Sequence, residues 1–347
     1  MEQLLWRFED ETINFSQYDY IAPYKSVDNS VEEALIKGLS ETNAFRRLSD
    51  IRFLGALDYR MVSHPNGSPA NARFTRAQHS LGVAKLARTY LSYRKHAQRD
   101  RLACVAAAML HDIGHAPFSH TLEPLLKRTF KLDHHEASEN IILGTSILGT
   151  SIPDALNKFG IDPDHIIDIL RGNDAEFDNF FSGPINFDTI EGILRSRSYL
   201  KMPDLMLGPQ TVVEAASNRV STKSRDLVDA FWNAKDEIYA LVIRSRSGVL
   251  FDTLFQEVAR QSIDDLSSDV FYMTETQVFR KIPRLRDAAK KDSWQALALS
   301  LLPDEIPYFV RRFYVDSSAD FFSREDHIRY RQEKHLGSLT LSSVVPA

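Results

Sequence analysis

The sequence predicts an all-α fold, on three observations. Apolar residues recur at three- and four-residue intervals in several long segments. Alternating, strand-like runs are few. The composition is globular, with 43% hydrophobic and 26% charged residues over 347 positions, enough chain to bury one large core or two modest ones without metals or disulfides.

Taken in order, the first helical pattern covers residues 31–39. The second, 79–95, shows the recurrence with Leu81, Ala84, Leu86, Tyr90 and Leu91. Residues 102–110 are apolar nearly all round and predict a helix inside the core, stopped by Gly114 and Pro117. Cys104 lies in this run and reads as a small buried thiol. Further helices are expected at 136–143, 188–199, 225–244, 250–264 and 293–302. Loops are expected at 62–73, 144–153 and 172–187, where Gly, Pro, Asn and Ser concentrate. Pro203, Gly208 and Pro209 suggest a boundary near 200–210. This divides the chain into an N-terminal segment 1–40, a core 41–205 and a helical region 206–347 that completes the pocket or an oligomer interface. There is no internal repeat.

Charge and targeting signals narrow the function classes. Lys and Arg number 42 against 47 Asp and Glu, for a net charge of -5, so a nucleic-acid coat is disfavoured as the main role. Residues 1–11 show neither a basic n-region nor an apolar h-region, and no apolar run reaches the ~20 residues a membrane span needs. With one cysteine, no internal disulfide can form. The expectation is a cytoplasmic protein without a membrane partner.

Histidine placement is the first chemical signal, since seven of the eleven histidines fall between positions 79 and 135. The window contains His111-Asp112-Ile-Gly-His115-Ala-Pro-Phe-Ser-His120-Thr-Leu-Glu123, then Asp133-His134-His135-Glu136. Adjacent His111 and Asp112 at a helix end can offer mixed nitrogen and oxygen donors to Fe, Mn, Mg or Zn. Adding His79 upstream and Asp188 downstream gives a two-His, two-Asp set. On an octahedral ion it leaves two positions for a hydroxide and a phosphate oxygen. His115, His120 and His135 can bind phosphate oxygens or protonate a leaving oxygen, with Glu123 orienting one imidazole. Arg76, one turn before His79, is placed to hold a phosphate oxygen. Each residue alone has a plainer reading: Asp188 and Asp133 as helix N-caps, and His64, His96, His165, His327 and His335 as solvated or hydrogen-bonded side chains.

The blocks Phe45-Arg-Arg-Leu-Ser-Asp-Ile-Arg-Phe-Leu-Gly55, Arg76-Ala-Gln-His79-Ser-Leu-Gly-Val83, His111–His120, His135-Glu136 and Asp188 resemble, in order and spacing, those of the HD-domain phosphohydrolases. The His-Asp-x-Gly-His-x-Pro-Phe-Ser-His block is most similar to the deoxynucleoside triphosphate triphosphohydrolases. The resemblance covers about 41–200, more weakly to 245. It implies an HD helical bundle with additional C-terminal helices and metal ligands at His79, His111, Asp112 and Asp188. It also implies phosphate-handling or proton-transfer roles for Arg76, His115, His120 and His135, with Glu123 where the family usually has Asp. The implied cofactor is a divalent metal: Mn, Fe or Mg, with Zn or Ni as alternatives. The implied partners are a nucleotide substrate, a regulatory nucleotide and further copies of the chain. The implied role is nucleotide-pool control, including restriction of phage replication.

The departures from the family pattern cluster on the sugar side. Phe53 stands where the family has Gln, and Gly192 and Ser196 stand where it has Tyr and Asp. Tyr239 is a weak match to a family tyrosine beside the sugar. The metal and phosphate half is intact while the sugar half is rebuilt, which leaves three readings: triphosphohydrolase, phosphodiesterase or phosphomonoesterase on a cyclic, oligomeric or modified nucleotide, and nucleotide-binding regulator with little turnover. Outside these blocks, Arg280–Lys291 holds six basic residues against one acid. It reads as an exposed face, or as a regulatory nucleotide or oligonucleotide site.

Overall fold

A computed structural model describes residues 30–59, 74–92, 94–177, 180, 183–199, 207–290, 293–323 and 326–343. Residues 1–11, the 62–73 loop with His64, Pro203 and Lys291 lie outside the described residues. The helices are α1 Ser30–Ser40, α2 Asn43–Arg47, α3 Arg76–Ser92, α4 Gln98–Leu110, α5 Glu123–Phe130, α6 His134–Ile142, α7 Ser151–Asn157 and α8 Pro163–Arg171. They continue as α9 Phe187–Tyr199, α10 Pro209–Asn218, α11 Thr222–Ile238, α12 Arg246–Arg260, α13 Glu275–Lys281, α14 Arg284–Ala289 and α15 Trp294–Leu301. The fold is all-α, as the periodicity predicts, and the eight predicted helices appear with ends moved by a few residues. Helix α7 begins inside the expected 144–153 loop. The short α2, α5, α8, α10, α13 and α14 were not anticipated, because a helix of two turns shows too few periods to register.

One departure is larger. Residues Glu305–Val315 and Tyr330–Thr340 form strands β1 and β2 of an antiparallel two-stranded ribbon, with a short helix, α16 Asp326–Arg329, leading into β2. The expected purely helical C-terminal region is corrected here. β1 is rich in β-branched and aromatic residues, Ile306-Pro-Tyr-Phe-Val310 and Phe313-Tyr-Val315. Such residues suit a pleated, half-buried surface. The inward side chains Phe313 and Tyr330 pack on Trp232 of α11.

Helix α4 explains the centre of the molecule. All residues from Leu102 to Leu110 are buried, Cys104 among them as a free thiol. Ala103, Ala106, Ala107 and Ala108 let neighbouring helices approach closely. This first core also takes in α1, α3, α9, α10 and α11 and continues past position 205, through Leu207, Val212 and Phe231. At its edge the buried Arg101 donates to Glu32 from Nη2 at 2.7 Å, tying α4 to α1. A second core gathers α12–α15 with Phe118, Leu122, Leu125 and Leu126. The segment after α4 therefore runs along the seam, with Ile113 in one core and Phe118 in the other.

Two glycines permit this seam. A Cβ on Gly114 would lie 2.2 Å from His134 O and from Ser138 N, so only glycine lets α6 close on the loop. Gly55 has φ +60, and a Cβ there would lie 2.4 Å from Phe118 O. The basic run forms the solvent side of α13 and α14: Arg280, Lys281, Arg284, Arg286 and Lys290 are exposed, while Val278, Ile282, Leu285 and Ala288 face the core. Among the described residues, no helix is long and apolar enough to cross a membrane.

Candidate metal and phosphate site

His79 comes from α3, His111 and Asp112 from the end of α4, and Asp188 from the first turn of α9. Asp188 is not the cap of its helix; Asn186 takes that part, its Oδ1 accepting from Thr189 N at 2.7 Å. Asp188 Oδ1 instead lies 3.0 Å from His79 Nε2 and 3.8 Å from His111 Nε2. Ligand atoms of His79, His111 and Asp112 all fall within 4.8 Å of one another. The two Nε2 atoms are 3.3 Å apart, close to the ~3 Å expected of neighbouring donors around one ion with bonds of ~2.1 Å.

The surroundings orient these donors. His79 donates from Nδ1 to Glu191 Oε2 at 2.5 Å, and His111 from Nδ1 to Ala108 O at 2.8 Å, so both Nε2 atoms face the centre. Glu191 is held by Arg195 Nε at 2.9 Å. A Cβ on Gly82 would lie 2.1 Å from Glu191 Oε1, so this glycine makes room for the carboxylate between α3 and α9. Burial alone would push the His79 imidazole down, yet Glu191, Asp188 and Asp112 outweigh it and raise its pKa to about 9. Two imidazole Nε2 atoms facing each other beside two carboxylates suit a divalent cation, which would take the place of the proton His79 otherwise holds, so the residues present fit such an ion.

Arg76, expected at phosphate, is buried. It donates to Asp112 Oδ2 from Nη1 at 2.6 Å and to Ser119 Oγ from Nε at 3.0 Å. It fixes the Asp112 carboxylate and lends positive charge from behind it. Burial opposes ionisation of Asp112, but His111, His115 and Arg76 hold it well below the usual carboxylate range.

A second cluster lies beside the first. His115, His120 and His134 bring ligand nitrogens within 4.8 Å of one another. His115 Nε2 is 3.2 Å from Asp112 Oδ1, which links the clusters. His115 stacks on His134 with ring centres 4.2 Å apart and meets His120 edge-on at 4.7 Å. Burial, then the charge of Arg76, pushes His115 down, so it is a neutral imidazole. Glu123 accepts from His120 Nδ1 at 3.0 Å and from His134 Nδ1.

His134, to which the sequence reading gives no role, is thus the ring of the doublet that joins His115 and His120. The Asp133 capping box decides this: Asp133 accepts from His135 N and Glu136 N, which makes His134 the first residue of α6 and turns its ring to Glu123. His135 is the more exposed of the two, its ring 3.9 Å from that of His134. The doublet at a cap was the available signal, but local sequence does not say which ring faces inward. Lys235 was missed as well. Its ammonium lies over the Trp232 and Phe313 rings and donates to Pro184 O at 3.4 Å. Burial pushes it down to about 8 against the pull of Asp188.

The Glu123–His134 pair gives a pH signature. Burial would raise the Glu123 carboxyl, but its bonds to His120 and His134 hold it far below its ordinary value. His134 is raised because Glu123 outweighs its own desolvation. The depressed carboxylate contributes stability in full above about pH 4.3, and this is lost as pH falls toward its folded value. The raised imidazole contributes in full below about pH 6.5, and this is lost as pH rises through its folded value. Glu123→Gln should therefore lower the denaturant midpoint most between about pH 4.5 and 6.5, with a smaller loss on either side. A loss independent of pH would contradict the pairing.

Of the three departures from the family pattern, Phe53 is buried with its ring centre 4.9 Å from that of His79. A Cβ on Gly192 would meet Phe53 Cζ at 3.5 Å. Ser196 Oγ donates to Gly192 O at 2.7 Å. Phe53 and Gly192 thus build an apolar wall beside His79, while Ser196 spends its hydroxyl on its own helix. Tyr239 lies in a π-turn, Tyr239–Ile243, and packs on Phe313 at 4.6 Å. His96 pairs with Glu176 and His165 with Asp174, His335 lies 3.4 Å from Glu333, and His327 is exposed, all in keeping with their plainer reading.

Residues 76–155 match the HD domain family model. Over 119 residues the chain is 37% identical to the uncharacterized protein YwfO of Bacillus subtilis, covering 33% of this chain and 25% of that protein. Over 256 residues it is 25% identical to the deoxynucleoside triphosphate triphosphohydrolase SAMHD1 homolog of Dictyostelium discoideum, covering 70% of this chain and 46% of the relative. With SAMHD1 of Bos taurus the identity is 28% over 148 residues, 40% of this chain and 24% of the relative. The chain thus spans between a quarter and just under half the length of these relatives.

Proposed function

Starting from a chain that carries an HD domain and resembles the deoxynucleoside triphosphate triphosphohydrolase branch of HD-domain phosphohydrolases, we propose that it hydrolyses a nucleoside or deoxynucleoside triphosphate to nucleoside and inorganic triphosphate. The observation that carries the reading is the junction of the two clusters at Asp112, with metal donors on one side and three imidazoles on the other. His79, His111, Asp112 and Asp188 would hold a divalent ion, which when bound lowers the pKa of water and polarises a phosphoryl oxygen.

The chain's own residues supply the remainder. Water adds its oxygen to the α-phosphorus and gives up a proton to solvent, the bond from phosphorus to the 5′ oxygen breaks, and the nucleoside leaves with a proton on that oxygen, the donor being restored from solvent. His134, held by Glu123 and raised in pKa, is the proton donor in this reading. Neutral His115, together with His120, hydrogen-bonds the phosphate oxygens. Arg76 adds charge from behind Asp112.

The apolar wall of Phe53 and Gly192 favours a second reading, phosphodiester or phosphomonoester cleavage of a cyclic, oligomeric or modified nucleotide. A substrate panel separates the two. Metal-analysed protein is incubated with Mn²⁺ or Mg²⁺ and each NTP and dNTP, singly and mixed, and the products are resolved by chromatography. Inorganic triphosphate with nucleoside is the expected result. Nucleoside monophosphate or orthophosphate would replace it with the second reading.

A further inference from the structure

Between the metal donors and His120 the chain passes through Phe118 at φ 63 and Ser119 at φ 48, two consecutive non-glycine residues in the left-handed region. Phe118 is fully buried, and such a backbone persists only where the surroundings over-determine it. Ser119 is fixed from the metal side, donating from Oγ to Arg52 O at 2.9 Å and accepting from Arg76. Phe118 is fixed from elsewhere: its N–H donates to Glu275 Oε1 at 3.1 Å, across 157 positions of chain.

Glu275 is the first residue of α13 and is 1% exposed. The same Oε1 accepts from Arg52 N at 2.8 Å, and Oε2 accepts from the Tyr59 hydroxyl. One buried carboxylate thus binds the backbone of the imidazole loop and the backbone next to Phe53. Its acceptors are spent on two N–H groups and a phenol, an arrangement aimed at backbone position. The segment leading to it is tied to the same loop, because Arg47 Nη1 donates to His115 O at 2.7 Å, Phe271 O at 3.0 Å and Met273 O at 3.2 Å.

We infer that Glu275 is a positioning residue for the phosphohydrolase site: from the C-terminal region it holds the left-handed Phe118–Ser119 turn that aims His115 and His120, and with the same oxygen it holds the Arg52–Phe53 wall. The inference rests on the proposed phosphate role of those imidazoles. It does not require that the substrate be a nucleoside triphosphate.

The test compares Glu275→Ala and Glu275→Gln with the parent protein in three measurements: metal content, equilibrium binding of inorganic triphosphate by calorimetry, and kcat and KM on whichever substrate the panel identifies. Glutamine keeps a carbonyl oxygen for the two N–H donors, and its amide can donate to Tyr59. The expected result is that Glu275→Ala retains its metal but binds triphosphate at least tenfold more weakly and loses about a hundredfold in kcat. Glu275→Gln should recover most of both. Should Glu275→Ala fail to fold, Glu275→Asp serves, drawing the acceptor back by one methylene and lowering triphosphate affinity with metal retained. Triphosphate affinity unchanged in a folded Glu275→Ala or Glu275→Asp overturns the inference, as does a folded Glu275→Gln as impaired as the alanine variant. Failure of the parent protein itself to bind triphosphate would instead overturn the phosphate role of the imidazoles, and the inference with it.

Discussion

Asp112→Ala is expected to abolish both metal loading and turnover. Its carboxylate lies 3.5 Å from His79 Nε2, 3.5 Å from His111 Nε2 and 3.2 Å from His115 Nε2, and it takes the Arg76 guanidinium at 2.6 Å. Alanine removes one donor from the proposed quartet and leaves Arg76, with a 4% exposed side chain, as a buried cation without its carboxylate. A metal centre supplies several kcal/mol of charge stabilisation, so turnover should fall by about 10³ or more. Elemental analysis of the purified variant should find metal at background. His111→Ala should act the same way without stranding Arg76, which separates donor loss from charge imbalance. A variant of either residue that keeps metal and activity would refute the assignment of the site.

The second large effect is on stability. Arg47→Met should lower unfolding free energy by about 3–5 kcal/mol, because the buried guanidinium bonds four carbonyl oxygens, those of Ile113, His115, Phe271 and Met273, and methionine leaves them without donors. Burial lowers the Arg47 pKa only to about 10, so it is cationic at neutral pH and each bond is charge-assisted. Chemical denaturation followed by circular dichroism measures the loss. A change below about 1 kcal/mol would mean that water or a shifted backbone replaces those donors. The effect should also be long-ranged, since two of the carbonyls belong to the imidazole loop and two to the segment before α13. Affinity for a metal at the proposed donors on α3, α4 and α9 should suffer less than triphosphate binding.

The two effects divide along the same line as legibility. Helices such as α3, α11 and α12 are periodic over three or more turns, and α4 is an apolar run closed by Gly114 and Pro117, so local sequence is enough to find them. His79, His111, Asp112 and Asp188 could be picked out because they lie in short blocks that resemble those of the HD-domain phosphohydrolases, and the structure brings those four side chains together. Asp133 was readable as a cap because capping chemistry spans only three residues. The choice between His134 and His135 was not readable, as it depends on which ring the cap turns toward Glu123. The ribbon was missed for a related reason: strand preference in Glu305–Val315 depends on Trp232, which lies far away in the chain.

By itself the sequence determined a helical protein with a donor-rich histidine block and, at Phe53, Gly192 and Ser196, three departures from the pattern it resembles. Helical periodicity, caps and motif blocks are properties of neighbouring residues, so they survive without coordinates. Only the tertiary structure decided that Arg76 backs Asp112, that Glu191 aims His79, and that Glu275 and Arg47 clamp the imidazole loop from remote parts of the chain. Those decisions are hydrogen bonds across 36 to 226 positions. Their donors and acceptors are ordinary residues until burial removes water as the competing partner.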